Sequence, residues 1–173
     1  VSDVSLGLVL KHVRGALAPL SNSPWYLLIE LSSPEEESAL NAALEAFLER
    51  AFENTTICDA VIAQNVDQAK RLWALRENIS EAQKIEGFSI KHDIAMPICQ
   101  VETFIETCSP MLQAAYLQAK IVVFGHLGDG SLHYNVFVPE VLDQRIYQFE
   151  ADMNALVYEQ VFAVGGTVAA EHG

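Results

Sequence analysis

Residues 121–138 read Ile121-Val122-Val123-Phe124-Gly125-His126-Leu127-Gly128-Asp129-Gly130-Ser131-Leu132-His133-Tyr134-Asn135-Val136-Phe137-Val138. Two short runs rich in β-branched and aromatic residues, 121–126 and 132–138, flank a turn in which Gly128 and Gly130 can take positive φ. The pattern is a β-hairpin, and Pro139 closes its second strand. Successive side chains of a strand alternate between faces. If His126 pairs with His133, then Val122, Phe124, His126, His133, Asn135 and Phe137 share one face. Two imidazoles there, with a carboxamide beside them, are either metal ligands with a polar neighbour or ordinary sheet histidines satisfied by backbone and water.

Outward from the hairpin, helices and strands alternate. On the N-terminal side, 88–96 reads as a strand stopped by Pro97, and 101–118 as a helix carrying Phe104, Ile105, Met111, Leu112 and Tyr116. Earlier still, 25–31 (Trp-Tyr-Leu-Leu-Ile-Glu-Leu) and 57–63 read as buried strands. Between them Ser33-Pro34-Glu35-Glu36 has the grammar of a helix start, followed by Leu40, Leu44, Phe47, Leu48 and Ala51 over 34–52. A further helix spans 66–85 and ends at Gly87. On the C-terminal side, 141–162 is helical, Gly165-Gly166 ends it, and 167–170 begins another strand. The order β-α-β-α-β-α-β-β-α-β predicts an α+β fold. We expect a ferredoxin-like, antiparallel-rich sheet with helices mainly on one face, either single or duplicated.

Composition narrows the function. The 173 residues carry a formal charge of −13, with 10 Lys+Arg against 23 Asp+Glu, yet 51% are apolar and only 19% charged. That balance fits a packed domain and excludes a disordered acidic tail. No run approaches the roughly 20 apolar residues of a membrane span. No Lys/Arg cluster offers a surface to nucleic acid. An anionic ligand therefore requires local cations inside an acidic shell. Cys58, Cys99 and Cys108 have no metal or disulfide spacing, so we expect buried core thiols in a reducing compartment, cytoplasmic or mitochondrial.

Other residues offer themselves for chemistry. Arg76 and Ser80 stand at i and i+4 of a helix, next to Trp73. Arg76 is either an amphipathic edge residue or an anion clamp. Lys91 and Asp93 alternate with Ile90, Ile94 and Met96, which puts both on the less apolar face of their strand. Glu171-His172 adds a carboxylate and an imidazole at the end of the chain. Two His and one carboxylate with open positions make a catalytic metal site rather than a structural one.

Four segments together resemble one family. They are Leu72-Trp73-Ala74-Leu75-Arg76-Glu77, Lys91-His92-Asp93-Ile94-Ala95-Met96-Pro97, the hairpin from Phe124 to Asn135, and Ala170-Glu171-His172-Gly173. In this order they are similar to the C-terminal cap domain of FAD-linked oxidases, the group of D-lactate dehydrogenase, glycolate oxidase and D-2-hydroxyglutarate dehydrogenase. The resemblance implies that His126, His133 and Glu171 ligate a divalent metal (zinc, manganese or iron). It implies that Arg76, Ser80, Lys91 and Asn135 line the substrate site and that His172 lies close to the flavin, as catalytic base. Ser80 stands where Thr is common, Ser131 where Asn is frequent, and Ala95 where Ser is common.

By the same resemblance the whole of 1–173 is one cap domain of a longer polypeptide whose FAD-binding domain is its partner. The substrate is a small anionic D-2-hydroxy acid, oxidised to the 2-oxo acid with hydride passing to FAD. A self-contained metallohydrolase and a non-enzymatic ferredoxin-like binding module are the competing readings. Apolar surface left bare by the FAD-binding domain could also drive a homodimer. No Gly-rich dinucleotide loop lies between a strand and a helix here, since Gly128-x-Gly130 sits in a hairpin. The 173-residue chain purified alone is therefore expected to be inactive and colourless, and a stoichiometric flavin absorbance spectrum would contradict this.

Overall fold

The computed structural model describes residues 1–32, 34 and 37–168, without the side chain of Glu37. Six α-helices and four strands are assigned among them. Helices α1 (Asp3–His12), α2 (Glu37–Glu53), α3 (Val66–Glu77) and α4 (Ile79–Glu86) precede strand β1 (Ile90–Ala95). Helix α5 (Val101–Ala115), β2 (Lys120–His126), β3 (Ser131–Phe137), α6 (Glu150–Ala163) and β4 (Thr167–Val168) follow. The strand order β2-β3-β1-β4 is antiparallel throughout. From β1 onward the chain runs β-α-β-β-α-β, the ferredoxin-like arrangement that the hairpin and its flanking helices predict.

The helices of this unit are built by simple spacing. Phe104, Cys108 and Leu112 of α5, and Met153, Val157 and Val161 of α6, recur every four residues and are fully buried. They cover the sheet face carried by Ile90, Ile94, Ile121, Val123, Leu132, Tyr134 and Val136. The opposite face is covered too, though only in part. There Leu8 and Val9 of α1 and Ile79 and Ala82 of α4 pack on Val122, Phe124 and Phe137. Helix α1 is tied to the outer edge of β2 by polar groups as well. Ser2 N–H donates to Val123 O at 2.8 Å, and Ser5 Oγ donates to the same oxygen at 2.9 Å. These bonds occupy an edge strand that would otherwise be open to another chain.

Several expectations need correction. Residues 25–31 and 57–63 are not strands; Trp25 makes one isolated bridge to Ser2. Their apolar patterns supply the side chains of a strand, but a strand also needs a neighbour's ladder, and the described residues form one ferredoxin-like unit instead of two. The helix over 66–85 divides at Asn78, whose ψ of 0° breaks the α geometry and whose Nδ2 donates to Ala74 O. Residues 144–149 are a 3-10 segment in front of α6. The Ser33 cap and its Glu36 partner lie outside the described residues. Cys108 is buried and its thiol pKa is pushed up to about 11 by burial, but Cys58 and Cys99 are exposed. No helix among the described residues is long and apolar enough to cross a membrane.

The second-face helices are joined at their C-terminal ends by Glu86. Its Oε2 accepts from Lys11 Nζ at 2.6 Å and lies 2.5 Å from His12 Nε2. These donors, Lys11 first, hold the carboxyl below its ordinary 4.5. A depressed carboxylate stabilises the fold above its unfolded pKa, and this is lost as pH falls through the folded value. Because Lys11 is exposed, the effect is small, about 0.5–1 kcal/mol. Glu86→Gln is expected to lower stability by that amount at pH 7, with the difference from wild type closing below pH 4.5. Urea unfolding at several pH values measures it.

Candidate functional site

Register decides which side chains meet. In β2–β3 the Cα partners are Phe124↔His133 and His126↔Ser131, and in β1–β3 they are Lys91↔Asn135 and Asp93↔His133. The hairpin pairing thus differs by two residues from His126 opposite His133. The turn is longer than two residues because Leu127–Asp129 forms a 3-10 turn, closed by Gly130 at φ 66°. A slip of two leaves every side chain on its expected face. Val122, Phe124 and His126, then His133, Asn135 and Phe137, then Lys91 and Asp93, share the second face of the sheet. His126 and His133 are diagonal neighbours there, with Cα atoms about 7–8 Å apart by strand geometry.

Phe124 is the centre of this strip. The His133 ring lies against it, with centroids 4.8 Å apart and planes at 40°. From α3, the Arg76 guanidinium lies 4.8 Å from the centroid of the same ring, a cation–π contact. Arg76 Nη2 reaches within 3.4 Å of His126 Nε2. Guanidinium can only donate, so this contact assigns the lone pair of His126 to Nε2, the form in which imidazole binds a cation. His133 Nδ1 is 3.6 Å from Asp93 Oδ1, which sets a carboxylate beside a candidate ligand. At the other end Asn135 is buried, and its Nδ2 donates to Gln83 Oε1 of α4 at 2.8 Å. Lys91, its cross-strand partner, is exposed.

The opposite face holds this strip in place. His92 is 1% exposed and its Nδ1 lies 2.8 Å from Tyr134 O, the carbonyl between His133 and Asn135. A carbonyl only accepts, so Nδ1 carries the proton and donates. Burial holds the His92 pKa below the ordinary value and keeps the ring neutral. Alongside β2 opens a cleft of about 660 Å³, lined by Trp25, Trp73, Ile98 and Leu127 together with Arg76 and His126.

Of the residues singled out from sequence, Arg76, His126, His133, Asn135 and Lys91 come together along this one face. Ser80 does not join them by any described contact: it is exposed on α4, beyond the break at Asn78. Glu171 and His172 lie outside the described residues. Among the described residues no group of three or more His, Cys, Asp or Glu side chains could hold a metal ion. Two imidazoles on one face are the type of donor that suits zinc or iron. Sequence reasoning passed over Gln83 and gave Asp93 no part. The signal for Gln83 was a polar residue four positions after Ile79, on the buried stripe of α4.

The profile described as "FAD linked oxidases, C-terminal domain" matches residues 1–173. A protein of Oryza sativa subsp. indica named "Probable D-2-hydroxyglutarate dehydrogenase, mitochondrial" is 36% identical over 170 residues, covering 97% of this chain and 29% of its own length. The "D-2-hydroxyglutarate dehydrogenase, mitochondrial" of Arabidopsis thaliana is 35% identical, with 98% of this chain and 29% of its own length covered. The "D-2-hydroxyglutarate dehydrogenase" of Stutzerimonas stutzeri (strain A1501) is 35% identical, covering 99% and 37%. The chain thus spans 29–37% of the length of these relatives.

One glycine sets the geometry of the hairpin end. At Gly130 a Cβ would stand 2.0 Å from Met96 O, in a left-handed conformation besides. Gly130→Ala is expected to destabilise the chain by about 2 kcal/mol or more, and urea denaturation measures it.

Proposed function

This chain belongs to the C-terminal domain family of FAD-linked oxidases, and from that premise we propose that it is the substrate- and metal-binding cap of a flavoenzyme that oxidises a D-2-hydroxy acid. The substrate we assign is a dicarboxylic one, in keeping with the names of the relatives. The observation that carries the reading is the polar strip on the second face, with a cation towards each end. Ser131, opposite His126, and Asn135, opposite Lys91, are four residues apart in β3. That places the Arg76–His126 contact and Lys91 on the order of 13 Å apart along the strand, within reach of two long side chains closing on one diacid. A chain of charge −13 repels free dianions at long range, so these two cations have to act at contact.

Oxidation of a 2-hydroxy acid removes the hydroxyl proton and a hydride from Cα. Arg76 binds one carboxylate through its paired N–H groups, and Lys91 binds the other as a point charge. Phe124 holds the guanidinium over its face and so limits the directions in which Arg76 can point. Asn135 adds a fixed polar contact, and Ser80 a hydroxyl if α4 presents it to the ligand. His172 accepts the hydroxyl proton as general base. A divalent metal held by His126, His133 and Glu171 supplies polarisation of the hydroxyl oxygen, and FAD from the rest of the polypeptide supplies the hydride acceptor. Were His126 to hold a metal through Nε2, that nitrogen would no longer accept from Arg76. The FAD-binding part is also the partner we assign to the exposed Trp25, Leu27 and Leu31. Exposed free thiols at Cys58 and Cys99 suit a reducing compartment, the cytoplasm or the mitochondrial matrix.

In the full-length enzyme Arg76→Ala is expected mainly to raise KM, by about 2–5 kcal/mol in binding terms if the clamp is desolvated. His133→Ala is expected mainly to lower kcat, with loss of bound metal. Steady-state kinetics with FAD and metal content measured on each variant decide it. Wild-type kcat in a metal-free His133→Ala enzyme would remove the metal from the reading.

A further inference from the structure

Two buried amides face each other between α4 and the sheet, and the reading above leaves one of them without a part. Gln83 is 3% exposed and Asn135 4%. Carboxamides so nearly stripped of water take their partners from the protein, and Asn135 Nδ2 donates to Gln83 Oε1 at 2.8 Å. Gln83 Nε2 lies 3.4 Å from Ile79 O, one turn back along the same helix. The Ile79 carbonyl can only accept. It therefore draws the NH2 end of Gln83 to itself and leaves Oε1 to face the sheet. The polarity then passes on, because an acceptor on Gln83 draws the NH2 end of Asn135 and turns its Oδ1 away from that contact. Among the described residues no group donates to Asn135 Oδ1. The chain of amides runs from Ile79 through Gln83 to Asn135, and its free end is an oxygen beside Lys91.

We propose that Gln83 is a positioning residue that locks the Asn135 carboxamide, leaving Oδ1 as a fixed acceptor that holds the hydroxyl hydrogen of the bound 2-hydroxy acid until His172 takes the proton. The inference rests on the function proposed above. Its chemical content is discrimination between substrate and product. An unrestrained asparagine turns either end to a ligand, donating to a keto oxygen as readily as it accepts from a hydroxyl. With one Nδ2 hydrogen held by Gln83 and the amide so kept from flipping, the hydroxy acid meets Oδ1 as an acceptor for its O–H, whereas the 2-oxo acid at the same place sets lone pair against lone pair. The contact thus favours binding of the reduced acid and release of the oxidised one.

The test uses the full-length, FAD-containing enzyme with D-2-hydroxyglutarate as substrate and 2-oxoglutarate as product inhibitor. Gln83→Met keeps the length of the side chain and removes the acceptor. It is expected to raise KM for the hydroxy acid about tenfold while the Ki of the oxo acid stays within about twofold or falls. Gln83→Glu restores an acceptor at the same place and is expected to recover KM to within about threefold of wild type. A loss of packing alone would weaken both acids alike, and that result, or no change in either, overturns the proposal. Should Gln83→Met fail to fold, Gln83→Asn, one methylene too short to reach, is held to the same outcomes. Hydrogen exchange of the Asn135 side-chain amide, followed by NMR in 15N-asparagine-labelled protein without substrate, reads the orientation directly. It should be slow in wild type and fast in Gln83→Met; equal rates overturn the proposal. A wild-type enzyme inactive on hydroxy acids would instead sink the functional reading, with the amide exchange still testing Gln83.

Discussion

The ladder between β1, β3 and β2 governs this molecule, because its register decides which polar side chains can meet at all. Strand β3 is central, and each of its residues from Ser131 to Val136 has a partner on both sides. His133 is held between Phe124 and Asp93, and Asn135 between Val122 and Lys91, by backbone bonds that none of these side chains makes. A slip of one residue on either side would send the imidazole and the carboxamide into the aliphatic core, where neither could be satisfied. The core thus enforces the site: Ile90, Ile94, Tyr134 and Val136 have to lie under α5 and α6, so Lys91, Asp93, His133 and Asn135 have to lie on the other side.

That second face is made of two parts with different physics. Near Phe124 and Phe137 it is closed by α1 and α4, and the apolar contacts there form a second small core. Around Lys91, Asp93 and His126 it stays open or half-open. Polar groups sit along the boundary between the two. There they keep hydrogen-bond partners from the helices, as Asn135 does with Gln83. The break at Asn78 belongs to this arrangement. It separates α3, which delivers Arg76 over the Phe124 ring, from α4, which seats Ile79, Ala82 and Gln83 against the sheet.

Much of this was legible in the residues. The hairpin, the shared face of its histidines, the helices α5 and α6 and the ferredoxin-like order all follow from periodicity and turn chemistry, which act locally. Even the wrong pairing in the hairpin left the faces right, since an error of two residues preserves a period of two. The misread elements fail for the complementary reason. Residues 25–31 have the apolar pattern of a strand, but a strand exists only where a second strand presents its N–H and C=O groups, and no local pattern states that. Helix α1 carries a capping serine, Ser2, yet its purpose comes from bonds made to Val123 more than a hundred positions away. The sequence marks Gln83 as polar on a buried stripe, but its partner was hidden for the same cause, since Asn135 faces it from across the fold.

The position of Arg76 shows how two contacts without net charge orient a cation. An aromatic face and an imidazole nitrogen, the contacts that Phe124 and His126 offer Arg76, are both neutral. Neither a quadrupole nor a lone pair carries net charge, so these two contacts orient a guanidinium by direction alone. Each also holds it weakly: an exposed cation–π contact contributes about 1 kcal/mol, less than a charge-assisted bidentate pair. In the function proposed above, the substrate carboxylate makes a stronger contact with the guanidinium than either of these two. The ring beneath it limits the directions from which that carboxylate can arrive.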